Sequence, residues 1–321
     1  MWKIATDCPN RASKNSMSAL VTGTLRLPRG VLLLLPAALV LVGPSRASDA
    51  TGVRFSGMGF RVGDSRIVES RSLADEKFTI FSKGKALVKE HNIDDGRGRR
   101  VESVLRQEAG IAVSVKVVVQ KDAETKRSNS KSRSIKRVTH GRTYIISRVG
   151  DKLAIRYPDG KTPGPNELRI LSRQYRDLGR MSVGSALLLG RRIKPGERAD
   201  FLAPVIKRYF GAKKSTRYEN TKIVFSGVRE KDGAKCGVFK FKTTVVLPVG
   251  KTASVIVYMD GEMLYRLRGA WPVAFEMRGP ITIKSKGGST GMRGEGRAEL
   301  IYKYTYKKKP KAAPKRRTIG G

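Results

Sequence analysis

From Thr221 to Tyr306 the chain repeats one pattern, in which β-branched and aromatic residues fall at every second position and Gly, Asp or Pro breaks the run. The runs are TKIVFSGVRE, CGVFKFKTTVVL, ASVIVYMD, EMLYRLRG, PVAFEMRG, ITIKSK and RAELIYKYTY. A period of two sends alternate side chains to opposite faces of a pleated strand, so these runs read as strands. Asp232-Gly233 and Asp260-Gly261 are expected as tight turns between them. Regularly spaced short strands with such turns predict a mainly β fold, an antiparallel open barrel or sandwich. The last run sets Leu300, Tyr302, Tyr304 and Tyr306 on one face. That row could stack nucleic-acid bases, but the alternation favours a stripe facing the core.

The amino half follows the same rule. Val101 to Leu105 and Ile111 to Gln120 are joined by Gln-Glu-Ala-Gly as a hairpin, with Ile111, Val113, Val115, Val117 and Val119 on one face. Residues 121–142 break the alternation with KDAETKRSNSKSRSIK, polar, Ser-rich and basic, which predicts a solvated loop or flexible insert. Strands resume at Thr143 to Arg148 and Leu153 to Tyr157. RFSGMGFRVG, near residues 54–63, reads as a start-of-domain loop or bulge. Two short helices are expected in the middle of the chain. Asn166 caps the first, over Glu167 to Leu178, with Leu168, Leu171, Tyr175 and Leu178 on one face and Gly179 as its stop. The second covers Ala199 to Phe210, with Phe201, Leu202, Val205, Ile206 and Tyr209 apolar and Pro204 tolerated in its first turns.

Before all this comes VLLLLPAALVLV, Val31 to Val42, preceded by Arg26 and Arg29 and followed by Ser45-Arg46-Ala47. A positive n-region, a short apolar run and small residues before a cut describe a secretory signal, with cleavage expected after Ala47. The run is short of the roughly 20 apolar residues that a membrane-spanning helix needs, and the alternative is a buried core helix. Met17 is the more natural start for such a signal. The organisation expected is therefore a signal segment at 1–47, an N-terminal β region at 48–160, a helical connection at 161–212, a C-terminal antiparallel β region at 213–306 and a disordered basic tail at 307–321. The two β regions could form one domain or two. A secreted or periplasmic location follows, with no transmembrane span after cleavage.

Charge dominates the composition: 66 Lys and Arg against 27 Asp and Glu, net +39, falling to +34 without residues 1–47. With 39% apolar residues the chain can still build a core. Two Cys exclude a disulfide framework or a Cys-rich zinc site, and Cys236, in KCGVFKF, is expected buried on a strand. His91 and His140 stand far apart and leave little material for His-based catalysis. Gly287-Gly288-Ser289-Thr290-Gly291 matches G-x-S-x-G, but no His follows His140 and no helix follows the serine, so a glycine-rich loop is the reading. Ser128 and Lys131 match S-x-x-K inside a charged stretch without a pocket. Asp94 and Asp95 with Asp64 or Glu69 show no metal-ligand spacing. No catalytic residues, metal or cofactor are therefore expected, and the chain is not expected to be an enzyme.

The basic runs should draw polyanions by counterion release. The candidates are Lys131, Arg133, Lys136 and Arg137 in the insert, and Lys307, Lys308, Lys309, Lys311, Lys315, Arg316 and Arg317 in the tail. Nucleic acid, an anionic lipid surface or an acidic surface polymer would be the partner.

RVESVLRQEAGIAVSVKVVV, GRTYIISRVGDKLAIRYPDG, RRIKPGERADFLAPVIKRYFG and TKIVFSGVREKDGAKCGVFKFK, in that order, resemble a family of uncharacterised secreted bacterial β-rich proteins. In these a Gly-acidic step, here Gly196-Glu197, leads through a short helix into the carboxy-terminal strands; where a Trp would be expected this chain has Ala199. The resemblance covers about Phe60 to Tyr306 and extends in architecture to the half-barrels of periplasmic lipoprotein carriers. The family carries no established activity, and the half-barrels shelter apolar ligands; with a large sheet and no catalytic constellation, the expectation is an exported, non-catalytic envelope protein whose concave sheet binds an apolar or amphipathic ligand. Phe239, Phe241, Val255, Val257, Phe275 and Met277 are the candidate cavity residues.

Overall fold

The computed structural model describes residues 52–57, 59–129, 131–210, 215–249, 253–285 and 290–308. The strands of its amino half are β1 (Val53–Arg54), β2 (Ser65–Ser82), β3 (Lys85–Glu108), β4 (Ile111–Ser128), β5 (Lys131–Lys136), β6 (Thr143–Val149) and β7 (Lys152–Arg156). The middle holds α1 (Pro165–Gln174), α2 (Val183–Leu188), β8 (Arg192–Ile193), a 3-10 turn at Asp200–Leu202 and α3 (Ala203–Phe210). The carboxy half is β9 (Arg217–Lys231), β10 (Ala234–Val249), β11 (Ala253–Arg266), β12 (Pro272–Ser285) and β13 (Thr290–Lys307).

Pairing runs β9-β10-β11-β12-β13-β2 and β3-β4-β6-β7, with β5 also on β4. β2 and β3 lie side by side through the Lys83-Gly84 turn and join the two runs into one antiparallel sheet of eleven strands that does not close. Three of its hairpins turn on a residue pair with both φ positive: Lys83-Gly84, Ala109-Gly110 and Asp232-Gly233. That geometry matches the right-handed twist of the flanking strands, and glycine adopts it at the second position without a Cβ penalty. The open, mainly antiparallel β class read from the sequence is the class observed, and Cys236 lies fully buried on β10 as expected.

Several local expectations are corrected. The strands are long rather than short, 14 residues in β11 and β12 and 24 in β3. Asp260-Gly261 does not turn the chain: it lies inside β11, paired with Lys242 and Phe241. A Cβ on Gly261 would overlap the Phe241 ring and approach Glu276 O, so the glycine answers a packing need and not a turn. Gly279-Pro280 likewise lies inside β12, with Gly279 against the Tyr258 carbonyl. The segment 121–142 is a hairpin and not a loop, because β4 continues to Ser128 and β5 returns along it. Its polar residues still alternate: Asp122 and Glu124 point inward and are buried, where Asp122 accepts from Thr139 and pairs with Arg137 at 3.1 Å.

The first helix starts two residues before Glu167, with Gly164 and not Asn166 as its cap. Glu167 at the third helical position accepts from the Gly164 N–H at 3.2 Å and from the hydroxyls of Tyr144 and Tyr157, at 2.5 and 2.8 Å. One carboxylate thus caps α1 and fastens it to β6 and β7. Leu171 and Tyr175 bury against Val115, Val117, Tyr144, Ile146 and Ile155 in a second, smaller core. The second expected helix begins as a 3-10 turn, and α2 carries no clear signal in the sequence. The signal segment, Gly287 to Ser289, and Lys309 onward lie outside the described residues.

Candidate functional site

Residues directly opposite one another in an antiparallel pair share a face, so the register reads out one surface of the sheet row by row. One row is Phe225, Phe239, Met263, Phe275, Tyr302 and Ser70. The next is Ile223, Phe241, Gly261, Met277, Leu300 and Ser72, and a third carries Val245, Val257, Ile281, Gly296 and Glu76. The six expected cavity residues fall together on this face: Phe239, Phe241 and Phe275 in the first two rows with Met277, then Val257, and Val255 beside Leu247 and Ile283. All six are buried.

Short helical pieces cover them. Leu188 of α2, Leu202 of the 3-10 turn, and Val205, Ile206 and Phe210 of α3 belong to the same core as the sheet residues. Tyr209 stacks on Phe275, with centroids 4.1 Å apart, and tilts against Tyr302 at 5.2 Å. α2 sits so close to the sheet that a Cβ on Gly184 would overlap the Tyr265 hydroxyl. The cover is tied at its margins. Ser185 donates to Ala270 O at 2.8 Å, Asp200 accepts the Ile223 N–H at 2.9 Å, and Arg208 reaches Asp177 at 2.5 Å. Backbone bonds from Gly196 to Phe225 and from Ala199 to Ile223 also occupy the edge of β9.

Towards the start of β2 the same face turns polar and aromatic. Tyr306 stands opposite Arg66 and Tyr304 opposite Val68. Arg66 and Arg100 each donate through Nε to one oxygen of Glu102, at 2.5 and 2.7 Å, and the Tyr175 hydroxyl donates to Oε1 at 2.8 Å. Burial alone would raise the Glu102 carboxyl, but the two guanidiniums and the Tyr175 hydroxyl overcome it and hold the pKa at about 2. The Arg66 guanidinium lies 5.9 Å from the ring centres of Phe60 and Tyr304, and Arg100 lies 5.8 Å from that of Tyr175. Phe60 stacks on Trp271 at 4.4 Å, Trp271 on Tyr306 at 5.2 Å, and the hydroxyls of Tyr209 and Tyr304 meet at 3.1 Å. This cluster lies between α1, which supplies the Tyr175 end, and α3, which supplies Tyr209.

Glu76, at the β2 end of the third row, is a second buried carboxyl. Burial first, then Asp94 and Asp75, push it up to about 8. Its Oε1 has no hydrogen-bond partner among the described residues.

The aromatic row on β13 faces the core, as the alternation favours: Tyr304 is buried, and Tyr302 and Tyr306 are half-buried under Tyr209 and Trp271. The basic candidates divide. Lys131, Arg133, Lys136, Lys307 and Lys308 are exposed, whereas Arg137 turns in to Asp122. Sequence reasoning missed Arg66, Arg100 and Glu102. The only signal for Glu102 was its phase, since in Val101 to Leu105 it shares the buried face with Val104. Nothing marked the two arginines among so many basic residues.

No family model matches the chain, and no curated protein matches it. Among solved structures, lipovitellin, described for its lipid–protein interactions, is 8% identical with a TM-score of 0.34 over 79% of this chain and 26% of its own. An outer-membrane channel from Pseudomonas putida F1 gives 8% identity and a TM-score of 0.20 over 78% and 97%. DynF of Micromonospora chersina gives 9% and 0.16 over 88% and 97%. The chain thus spans about a quarter of lipovitellin's length, and the functional reading rests on the chain's own residues.

Proposed function

We propose that this chain is an exported, non-catalytic protein of the cell envelope that receives the apolar part of an amphipathic ligand on the inner face of its sheet. One observation carries the reading. A continuous apolar face spanning β9 to β13 is covered, among the described residues, only by small pieces: helical segments of 6, 3 and 8 residues and the two-residue strands β1 and β8, whose Phe55 and Ile193 join the same core. Helices this short have little stability of their own and persist through the surface they cover. A ligand with a long apolar chain competes for that same surface, so the helices can be displaced without unfolding the sheet. The apolar run Val31 to Val42, with Arg26 and Arg29 before it and Ser45-Arg46-Ala47 after it, supports export.

Titration of the purified chain with a fluorescent long-chain fatty acid tests this reading. Saturable binding of one probe per chain is expected, displaced by unlabelled fatty acid. An absence of saturable binding to charged and neutral acyl probes alike would contradict it.

A second reading, polyanion binding, is favoured by the exposure of Lys131, Arg133 and Lys136 on the strand that ends the 121–142 hairpin. Replacing these three by Gln should lower the salt concentration that elutes the chain from heparin. An unchanged elution would remove the hairpin from any such role.

A further inference from the structure

We infer that Arg66 and Arg100 form the seat for the anionic head of that ligand, a carboxylate or phosphate, at the aromatic end of the apolar face. The inference rests on the ligand-binding reading and adds the head-group chemistry to it.

Charge and accessibility together carry it. Two guanidiniums share one carboxylate, so the cluster keeps a net positive charge beside an apolar core, where uncompensated charge is costly. Glu102 is almost wholly buried, with 3% of its side chain exposed, but Arg66 and Arg100 keep 30% and 21%. Here the carboxylate forms the floor, and the two arginine side chains keep part of their surface open to solvent.

Bonding geometry points the same way. Glu102 takes Arg66 on one oxygen and Arg100 and Tyr175 on the other, through Nε in both arginines. The carboxylate is thereby satisfied without the terminal amino groups, which bind oxyanions in pairs; Arg66 also donates to the Tyr306 hydroxyl. Phe60 and Tyr304 flank Arg66, and Tyr175 flanks Arg100, so the guanidiniums are held in place before any ligand arrives.

Continuity with the apolar face completes the fit. Tyr304, beside Arg66, lies one inward position along β13 from Tyr302 and two from Leu300, which stand opposite Phe275 and Met277. A head group at the arginines would therefore let its chain run down β13 into the rows that Tyr209 and α3 cover. The ligand class is an amphipath with one anionic head and one long apolar chain.

The test compares palmitate, hexadecyl phosphate and hexadecanol, which share a chain and differ in head group, by direct titration of the wild-type chain. The anions should bind about tenfold tighter or more than the alcohol, the range expected of charge-assisted hydrogen bonds. Whichever anion binds tighter identifies the head as carboxylate or phosphate. Arg66→Gln and Arg100→Gln should each cut the preference several-fold and leave the alcohol unchanged. Arg66→Lys, which keeps a charge beside Glu102 but lacks the fork, should lose part of it while folding normally. Equal binding of acid and alcohol by the wild type would overturn the head-group seat and leave the apolar site standing. No binding of any of the three would overturn the ligand reading itself. A preference that survives both Gln variants, with the alcohol affinity as a check on their fold, would overturn the assignment to these arginines.

Discussion

Gly261 and Glu76 show how a single residue answers to neighbours that are distant in sequence. Asp260-Gly261 has the composition of a hairpin turn, yet its pairing continues across β10 and β12 because the Phe241 ring fills the space a side chain would need. Gly261→Val should therefore cost about 1–3 kcal/mol, the range of overpacking in a filled core, read as a lower urea midpoint with unchanged slope. Glu76 makes the opposite case, a group whose removal helps. Its carboxyl has a folded pKa of about 8 against an ordinary value of 4.5, raised by burial and by Asp94 and Asp75. Asp75 also holds His91 at 2.8 Å, and Arg297 lies 3.4 Å from it. In the folded state the proton is retained up to about pH 8, whereas the unfolded chain releases it near 4.5. Stability is thus lost as pH rises through that window and stays lost above it. Glu76→Gln should leave the melting temperature unchanged near pH 4 and raise stability by about 2 kcal/mol or more at pH 9.

At the scale of elements, alternation and helical spacing were legible, while boundaries set by tertiary contacts were not. The strand pattern of β9 to β13 and the apolar face of α1 could be read directly, since each buries one side against a core. The 121–142 hairpin could not. Its inward positions carry Asp122 and Glu124, which satisfy partners supplied by Thr139, Arg137 and Lys126 instead of adding apolar surface. α2 was equally hidden, because VGSALL is too short for a period to emerge and its seat is fixed by Tyr265 and Ala270. The six cavity candidates could be placed on one face because they share the strand period. The Arg66–Glu102–Arg100 cluster was not, because it assembles across β2 and β3 from charged residues. If the cover is held by its fit to the sheet, Gly184→Val, which drives a side chain into Tyr265, should loosen it. The expected readout is stronger fluorescence of a hydrophobic dye with far-ultraviolet circular dichroism nearly unchanged.

As a whole, the described residues form one open antiparallel sheet of eleven strands whose inner face is dressed in two places, by α1 over the β4–β6–β7 end and by α2 to α3 with the β1–β8 pair over the β9–β13 end. The polar cluster lies where the two covers meet, bridged by Arg208 and Asp177. The central claim is that the α2 to α3 cover and an amphipathic ligand occupy the same surface. Amide hydrogen exchange of residues 183–210, with and without saturating palmitate, tests it most directly. Exchange in α2 and α3 should become markedly faster on binding while β10 to β12 remain protected in both states. Equal protection of 183–210 with and without bound palmitate would contradict it.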